Sequence, residues 1–226
     1  SFLKYPKFKK EVNEKALKHY LVFQYNPLEE SFFKGVKKLR PGHYYIFENG
    51  KLEIKCYYNL TLDYKEMSFD EAVSKIENEV EESVKYHKIS DVEVGSFLSG
   101  GVDSSYVVAT AMPNKTFSVG FDNKGFNETV YAKELSDRLG IENFSKIITP
   151  DEFFDGINKV QYFSDEPHAN LSSVALYFLS KLASEQVKVV LSGEGADELF
   201  AGYNEYAEAL PQRIYKKLPF CLRNKL

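Results

Sequence analysis

Cysteine is scarce: Cys56 and Cys221, far apart in the chain, are the only two in 226 residues. Two cysteines make no disulfide framework, and no C-x-x-C spacing suggests zinc, so the chain reads as one from a reducing, cytoplasmic setting. A basic excess is missing as well, since the net charge is −4. Nucleic acid and anionic membrane both reward such an excess, and neither is expected as the main partner. No apolar run is long enough to span a bilayer, and no secretory signal is visible. Histidine is limited to His19, His43, His87 and His168, with no paired metal-ligand spacing. Each is expected to pack or to face solvent. Two familiar nucleotide loops are also absent. There is no G-x-x-x-x-G-K-[ST], and no G-x-G-x-x-G stands at a strand-to-helix turn.

What the chain does carry is Val94-Gly95-Ser96-Phe97-Leu98-Ser99-Gly100-Gly101-Val102-Asp103-Ser104-Ser105. An apolar run rich in β-formers, from Val92 to Leu98, predicts a buried strand. The glycine pair allows a tight turn and close approach to an anion. Tyr106 to Ala111 reads as a helix, whose unpaired N–H groups and dipole favour phosphate at its start. Asp103 is the odd member, because a carboxylate repels bare phosphate. It makes sense where Mg2+ bridges it to the phosphates. The pattern S-G-G-x-D-S resembles the pyrophosphatase-type loop of enzymes that split ATP into AMP and pyrophosphate.

Elsewhere the pattern alternates. Asn13 to Tyr20 reads as a short helix, and His43 to Phe47 and Leu52 to Tyr58 as two strands. Asn49-Gly50 between those strands favours a type I′ hairpin turn. A polar linker begins at Thr61. Ser68 and Glu71 have capping-box spacing, and Phe69, Val73, Ile76, Val80 and Val84 recur at helical period, which predicts an amphipathic helix packed on the next domain. Strands are expected over Thr116 to Phe121, Phe144 to Ile148 and Val187 to Leu191. Helices are expected from Asn127-Glu128 to a Gly140 cap, from Thr149-Pro150, and over Val174 to Glu185. Strands alternating with helices predict a doubly wound α/β domain with a parallel sheet, whose ligands sit at the carboxyl ends of the strands.

That rule singles out the end of the last strand, Leu191-Ser192-Gly193-Glu194-Gly195-Ala196-Asp197-Glu198-Leu199-Phe200-Ala201-Gly202-Tyr203. Here again are a strand, a Gly-rich turn and a helix start, now with three carboxylates. Acids at a helix start are ordinary capping. Two glycines around Glu194, where the first loop also opens, fit a site better. Asp103 and Asp197 are expected to converge on one Mg2+.

Taken together, S-F-L-S-G-G-V-D-S-S, T-F-S-V-G-F followed by Asn127-Glu128, Asp165-Glu166-Pro167, and V-V-L-S-G-E-G-A-D-E-L-F-A-G-Y resemble the synthetase domain of glutamine-dependent (B-type) asparagine synthetases. Order and spacing match over most of the chain. K-L-R-P-G-H-Y and the hairpin after it resemble the end of that family's N-terminal glutaminase domain. The resemblance implies residues 1–60 as the C-terminal part of a glutaminase domain and 61–226 as the N-terminal part of the synthetase domain. It also implies a sheet of the PP-loop ATP pyrophosphatase (adenine nucleotide alpha hydrolase-like) type. Ser99, Gly100, Gly101, Ser104 and Ser105 would hold the pyrophosphate part of ATP, and Asp103 and Asp197 the Mg2+. Leu98 and Val119 would meet adenine, Ser192 and Gly193 the ribose and α-phosphate, and Glu194 would act at the acyl-adenylate. The implied substrates are aspartate with glutamine or ammonia, and the resemblance leaves room for a homodimer.

The same comparison sets expectations for the ends. The family's glutaminase nucleophile is an N-terminal cysteine, so Cys56 and Cys221 read as packing or surface residues. Its catalytic lysine lies later in the pattern than Lys216, Lys217 and Lys225. The 226-residue piece is therefore expected to bind nucleotide without completing the reaction. Two other readings stay open on these residues: a sibling amide-forming synthetase of the β-lactam synthetase kind, and a non-catalytic nucleotide-sensing module.

Overall fold

The computed structural model describes residues 2–123, 127–164, 166–167, 169–207, 210–217 and 223. They form two compact units, Ser1–Ile76 with Thr149–Tyr177, and Glu77–Ile148 with Phe178–Leu226.

In the first unit, helix α1 (Glu14–Phe23) starts at Asn13, whose side chain accepts from the N–H groups of Lys15 and Ala16. It runs three residues past the expected end and stops at Gln24 in the left-handed region. Strands β1 (His43–Glu48) and β2 (Lys51–Cys56) form the expected antiparallel hairpin, with Glu48 opposite Lys51. Asn49 (φ 50°) and Gly50 (φ 74°) are both left-handed, as a type I′ turn requires. β2 ends two residues early because β1 begins at His43. Tyr57 and Tyr58 both donate instead to the Gly42 carbonyl.

Helix α2 (Phe69–His87) departs from expectation twice. Ser68 Oγ accepts from the Glu71 N–H, but the Glu71 carboxylate turns to Lys75 at 2.9 Å, so half of the capping box is replaced by an i,i+4 ion pair. The apolar stripe is buried only at its end: Phe69 is 81% exposed, whereas Val84 is 7% exposed. Length explains this. Nineteen helical residues span about 28 Å, whereas the strands that Val80 and Val84 pack against run about 10–13 Å.

The second unit holds a four-stranded parallel sheet of β3 (Val94–Phe97), β4 (Lys115–Phe121), β5 (Glu142–Ile148) and β6 (Val189–Leu191), in the order β5-β4-β3-β6. Helix α3 (Val102–Ala111) follows β3, and α4 (Thr129–Leu139) links β4 to β5 and closes at Gly140 (φ 70°) as expected. α3 begins earlier than the apolar run indicated, directly after the glycine pair, so Asp103, Ser104 and Ser105 lie in its first turn. β3 and β6 are shorter than predicted. Val92 stays outside the sheet, and Val187 ends a turn by donating to the Ala183 carbonyl.

Side chains alternate across the sheet as the pleat dictates. Leu98, at the end of β3, packs with Val108 of α3 and Ala132 of α4, while Leu191 and Val94 pack with Val84 and Ala111. On the opposite face Phe97, Phe117 and Val190 meet Leu179, Leu182 and Ala183 of α6 (Ser172–Ser184). Helices on both faces make the sheet doubly wound, as predicted. Between them in sequence, α5 (Pro150–Phe163) belongs to the first unit and opens with a complete capping box between Thr149 and Glu152. Helices α7 (Ala196–Phe200) and α8 (Leu210–Lys217) follow β6. Among the described residues no helix is long and apolar enough to cross a membrane.

The strand order has one consequence for function. β3 lies between β4, which follows it, and β6, which comes last, so the direction of winding reverses between β3 and β6. In sheets of this class, ligands bind outside the carboxyl ends of the strands at such a reversal.

Candidate active site

The first loop leaves β3 through a clamp. Leu98 is buried, its N–H donates to the Phe117 carbonyl at 2.9 Å, and its carbonyl accepts from Ser118 Oγ at 2.7 Å. The chain then emerges at Ser99, which is exposed. Gly100 has φ +88°, and a Cβ there would lie 2.8 Å from Tyr131 Cβ and 3.3 Å from the Ala132 nitrogen. Glycine is therefore needed twice over, for conformation and for the first turn of α4. Two hydroxyls hold the turn. Ser104 Oγ accepts from the Ser99 N–H at 3.2 Å and lies 2.9 Å from Ser99 Oγ, which accepts in turn from the Gly101 N–H. Gly101, the N-cap of α3, provides no side-chain cap. The N–H groups of Gly100, Val102, Asp103 and Ser104 consequently have no acceptor among the described residues. They are the orphan donors that a helix start offers to an anion.

The second loop begins at Leu191, beside Ser96 in the parallel register. Ser192 Oγ accepts from the Glu194 N–H at 3.1 Å, and Gly195 turns the chain at φ +95° into α7. Gly193 touches the first loop: a Cβ on it would lie 2.8 Å from the Ser104 nitrogen and 3.0 Å from the Asp103 carbonyl carbon. The loops predicted to act together are thus in backbone contact. Val119 stands half-buried on β4, the strand next to β3.

Carboxylates dominate the second loop electrostatically. Tyr203 Oη donates to Glu198 Oε1 at 2.9 Å. That bond pushes the Tyr203 phenol up to about 12, with desolvation and the charges of Glu198, Asp197 and Glu194 adding to it. Tyr203 and Glu198 were not singled out from sequence as site residues, nor was the start of α4 beneath Gly100. Both tyrosine and acid stood in the quoted motif, but only folding shows that they meet.

The metal-binding capacity is limited and specific. Among the described residues, the Asp103 and Asp197 side chains have neither a hydrogen bond nor an ion pair, and no group of three or more His, Cys, Asp or Glu is arranged to hold a metal. Both aspartates are half-buried. Two unpartnered carboxylates on touching loops fit Mg2+, which binds through one or two carboxylates and takes its other oxygens from water and phosphate.

The other singled-out residues make contacts of their own. Glu166 and Pro167 line a groove of the first unit, where Lys38 Nζ reaches Glu166 at 3.5 Å. Asp165 and His168 of that segment lie outside the described residues, as does Cys221. Cys56 is free and exposed on the hairpin. His43 contacts the Pro41 carbonyl, His87 the Ser83 carbonyl, and His19 stacks on Phe23.

Comparison with known proteins follows the same outline. Residues 75–225 match the asparagine synthase family model, and residues 1–58 match that of a glutamine amidotransferase domain. Asparagine synthetase [glutamine-hydrolyzing] 1 of Bacillus subtilis (strain 168) is 41% identical over 221 residues, covering 96% of this chain and 35% of its own length. Asparagine synthetase [glutamine-hydrolyzing] 3 of the same organism is 30% identical over 191 residues, covering 76% of this chain and 31% of its own. This chain therefore spans about a third of the length of these relatives. Among solved structures, NMN synthetase from Francisella tularensis aligns over 61% of this chain and 59% of its own, with TM-score 0.39 and 22% identity.

Proposed function

The chain belongs to the asparagine synthase family, and on that premise we propose that it carries the ATP site of an enzyme that amidates aspartate to asparagine. The observation that supports this best is the contact of Gly193 with Ser104, which sets two Gly-rich strand–turn–helix loops side by side at the reversal point of the sheet.

The chemistry explains why such loops are needed. A carboxylate is a poor electrophile. Adenylation cures this: an oxygen of the aspartate β-carboxylate attacks the α-phosphorus of ATP, and pyrophosphate leaves with the bonding electron pair. Ammonia, released from glutamine or taken free, then attacks the acyl carbon of β-aspartyl-AMP. AMP departs, the nitrogen loses a proton, and asparagine remains. In this reading residues 1–60 are the end of a glutaminase domain and 61–226 the first part of the synthetase domain.

The residues take their roles accordingly. The orphan N–H groups of Gly100, Val102, Asp103 and Ser104 face charge that builds on the departing pyrophosphate, where preorganised donors lower the barrier most. Ser99, Gly101 and Ser105 complete that cradle. Leu98 and Val119 border adenine. The Leu98 N–H is already given to Phe117, so its carbonyl oxygen, which keeps one lone pair beside the bond from Ser118 Oγ, is the atom left to accept from the base. Ser192 and Gly193 lie toward the ribose and α-phosphate. Glu194, exposed at the loop tip, orients the acyl-adenylate or takes the proton from the incoming amine. Asp103 and Asp197 would hold Mg2+, which neutralises the pyrophosphate when bound.

The test is aspartate-dependent exchange of labelled pyrophosphate into ATP by the protein carrying this chain. Exchange that requires aspartate, and is lost in Asp103→Ala and Asp197→Ala, is the expected result. Exchange only with another acid would move the protein to a sibling synthetase. Silence with every acid would leave a nucleotide-sensing module.

A further inference from the structure

We propose that Gly202 is a positioning residue for Asp197: the space left by its missing side chain is the seat of the Asp197 carboxylate. This rests on the reading of Asp197 as a Mg2+ ligand.

A Cβ on Gly202 would lie 2.0 Å from Asp197 Oδ1, 3.1 Å from its Cγ and 3.3 Å from its Cα. Real Cβ atoms do not approach so closely, so the carboxylate occupies volume that only glycine leaves open. Backbone conformation gives no competing reason for a glycine. The glycines with left-handed φ are Gly35, Gly42, Gly50, Gly100, Gly140 and Gly195 among the described residues, and Gly202 is not one of them. The left-handed residue that closes α7 is Ala201, at φ 56°. A glycine serving the helix stop would stand at Ala201, where it relieves strain. It stands one residue later instead, where the Gly202 N–H returns to the Asp197 carbonyl at 3.0 Å and folds the chain back over the carboxylate.

The aim of that carboxylate is set by shape. Asp197 has no hydrogen bond or ion pair from its side chain among the described residues. Its half-buried position and the open seat at Gly202 are what orient it before a cation arrives. An added methyl at position 202 meets the free end of the Asp197 side chain first, and that end rotates more easily than backbone shifts. Gly202→Ala therefore re-aims the ligand rather than dismantling the loop.

The experiment measures Mn2+ binding, by the paramagnetic resonance of free Mn2+, to the protein carrying this chain, with ATP present and aspartate omitted. Gly202→Ala is expected to weaken Mn2+ binding roughly 10- to 100-fold, the range seen when a ligand loses its orienting neighbour. In the Asp197→Ala background the same change should cost nothing further, because the clashing group is gone. Wild-type Mn2+ affinity in Gly202→Ala beside weakened binding in Asp197→Ala would overturn the role of Gly202 alone. Wild-type affinity in Asp197→Ala would remove the metal reading and this inference with it. Should Gly202→Ala fail to fold, the double variant decides. Restored folding places the clash on the carboxylate, as proposed, and continued failure places it on the backbone and overturns the seat.

Discussion

Gly193 lies so close to Ser104 that a Cβ on it would come within 2.8 Å of the Ser104 backbone nitrogen. Its φ is not left-handed, so space is what demands glycine. Both opposing atoms, the Ser104 nitrogen and the Asp103 carbonyl carbon, belong to backbone and cannot step aside as a side-chain end can. Gly193→Ala should therefore part the two loops, by contrast with Gly202→Ala, which moves one carboxylate. A shift near 1 Å between reacting groups costs on the order of 100-fold in rate, and overpacking costs about 1–3 kcal/mol of stability. Pyrophosphate exchange and urea unfolding of the variant test both figures. Full exchange in a destabilised Gly193→Ala protein would mean that the loops work independently.

Ser104 tests the first loop from within. Its hydroxyl holds the Ser99 N–H at 3.2 Å and meets Ser99 Oγ at 2.9 Å, bracing the turn before any phosphate arrives. Ser104→Ala releases that brace, and at about 1 kcal/mol for each of the two hydrogen bonds the loss amounts to roughly 30-fold. The loss should appear in KM for ATP more than in kcat, because the loop must be ordered afresh on binding. Ser104→Thr retains the hydroxyl and should restore KM. An unchanged KM in Ser104→Ala would show that the brace is ornamental to binding.

What was legible in the chain was what local sequence dictates. Asn49-Gly50 specifies a turn with two left-handed residues, and the hairpin has one. The pair Gly100-Gly101 after an apolar run announced the first loop, and alternation of period announced the parallel sheet. What stayed hidden depends on partners distant in sequence. The α2 stripe reads as facing the next domain, yet only its end is buried. Glu71 stands at capping-box spacing, but Lys75 four residues on competes for it and wins. Gly100 announces a turn by itself; that it also fits against Tyr131 becomes visible only when α4 is packed. Nothing local distinguishes Tyr203 from the other fifteen tyrosines until its phenol meets Glu198.

Tyr203 offers a titration that few other groups in the chain share. Its phenol is held protonated up to about 12, first by donating to Glu198 and then by desolvation and the neighbouring carboxylate charges. Ultraviolet difference titration should reveal one tyrosine ionising near 12, a component lost in Tyr203→Phe. Glu198→Gln removes the main cause and should move that component down toward the ordinary tyrosine range near 10. The raised value also makes a stability statement. The folded state binds this proton more tightly than the unfolded state, so the contribution is complete below the unfolded value. It is lost as pH rises through the folded one. Alkaline unfolding of Tyr203→Phe should lack that loss.

Glu93 provides the opposite sign at the other end of the strands. It stands just before β3, where Lys115 Nζ lies 2.9 Å from its Oε2 and Asn114 Nδ2 lies 3.2 Å from Oε1. These two bonds, with the Lys115 charge, hold the carboxyl below its ordinary 4.5 against an opposing desolvation. The unfolded chain binds this proton more readily, so stability from the pair is present above 4.5 and fades as pH falls through the lowered folded value. The pair is exposed to solvent and salt, so its contribution is small and shrinks with ionic strength. Thermal midpoints of wild type and Glu93→Gln should therefore differ slightly at neutral pH and converge once pH has fallen through the lowered folded value. Lys115→Met should produce the same convergence, because it removes the cause rather than the acid. A gap that persists at low pH would trace the Glu93 effect to packing instead of charge, and one that ignores salt would do the same.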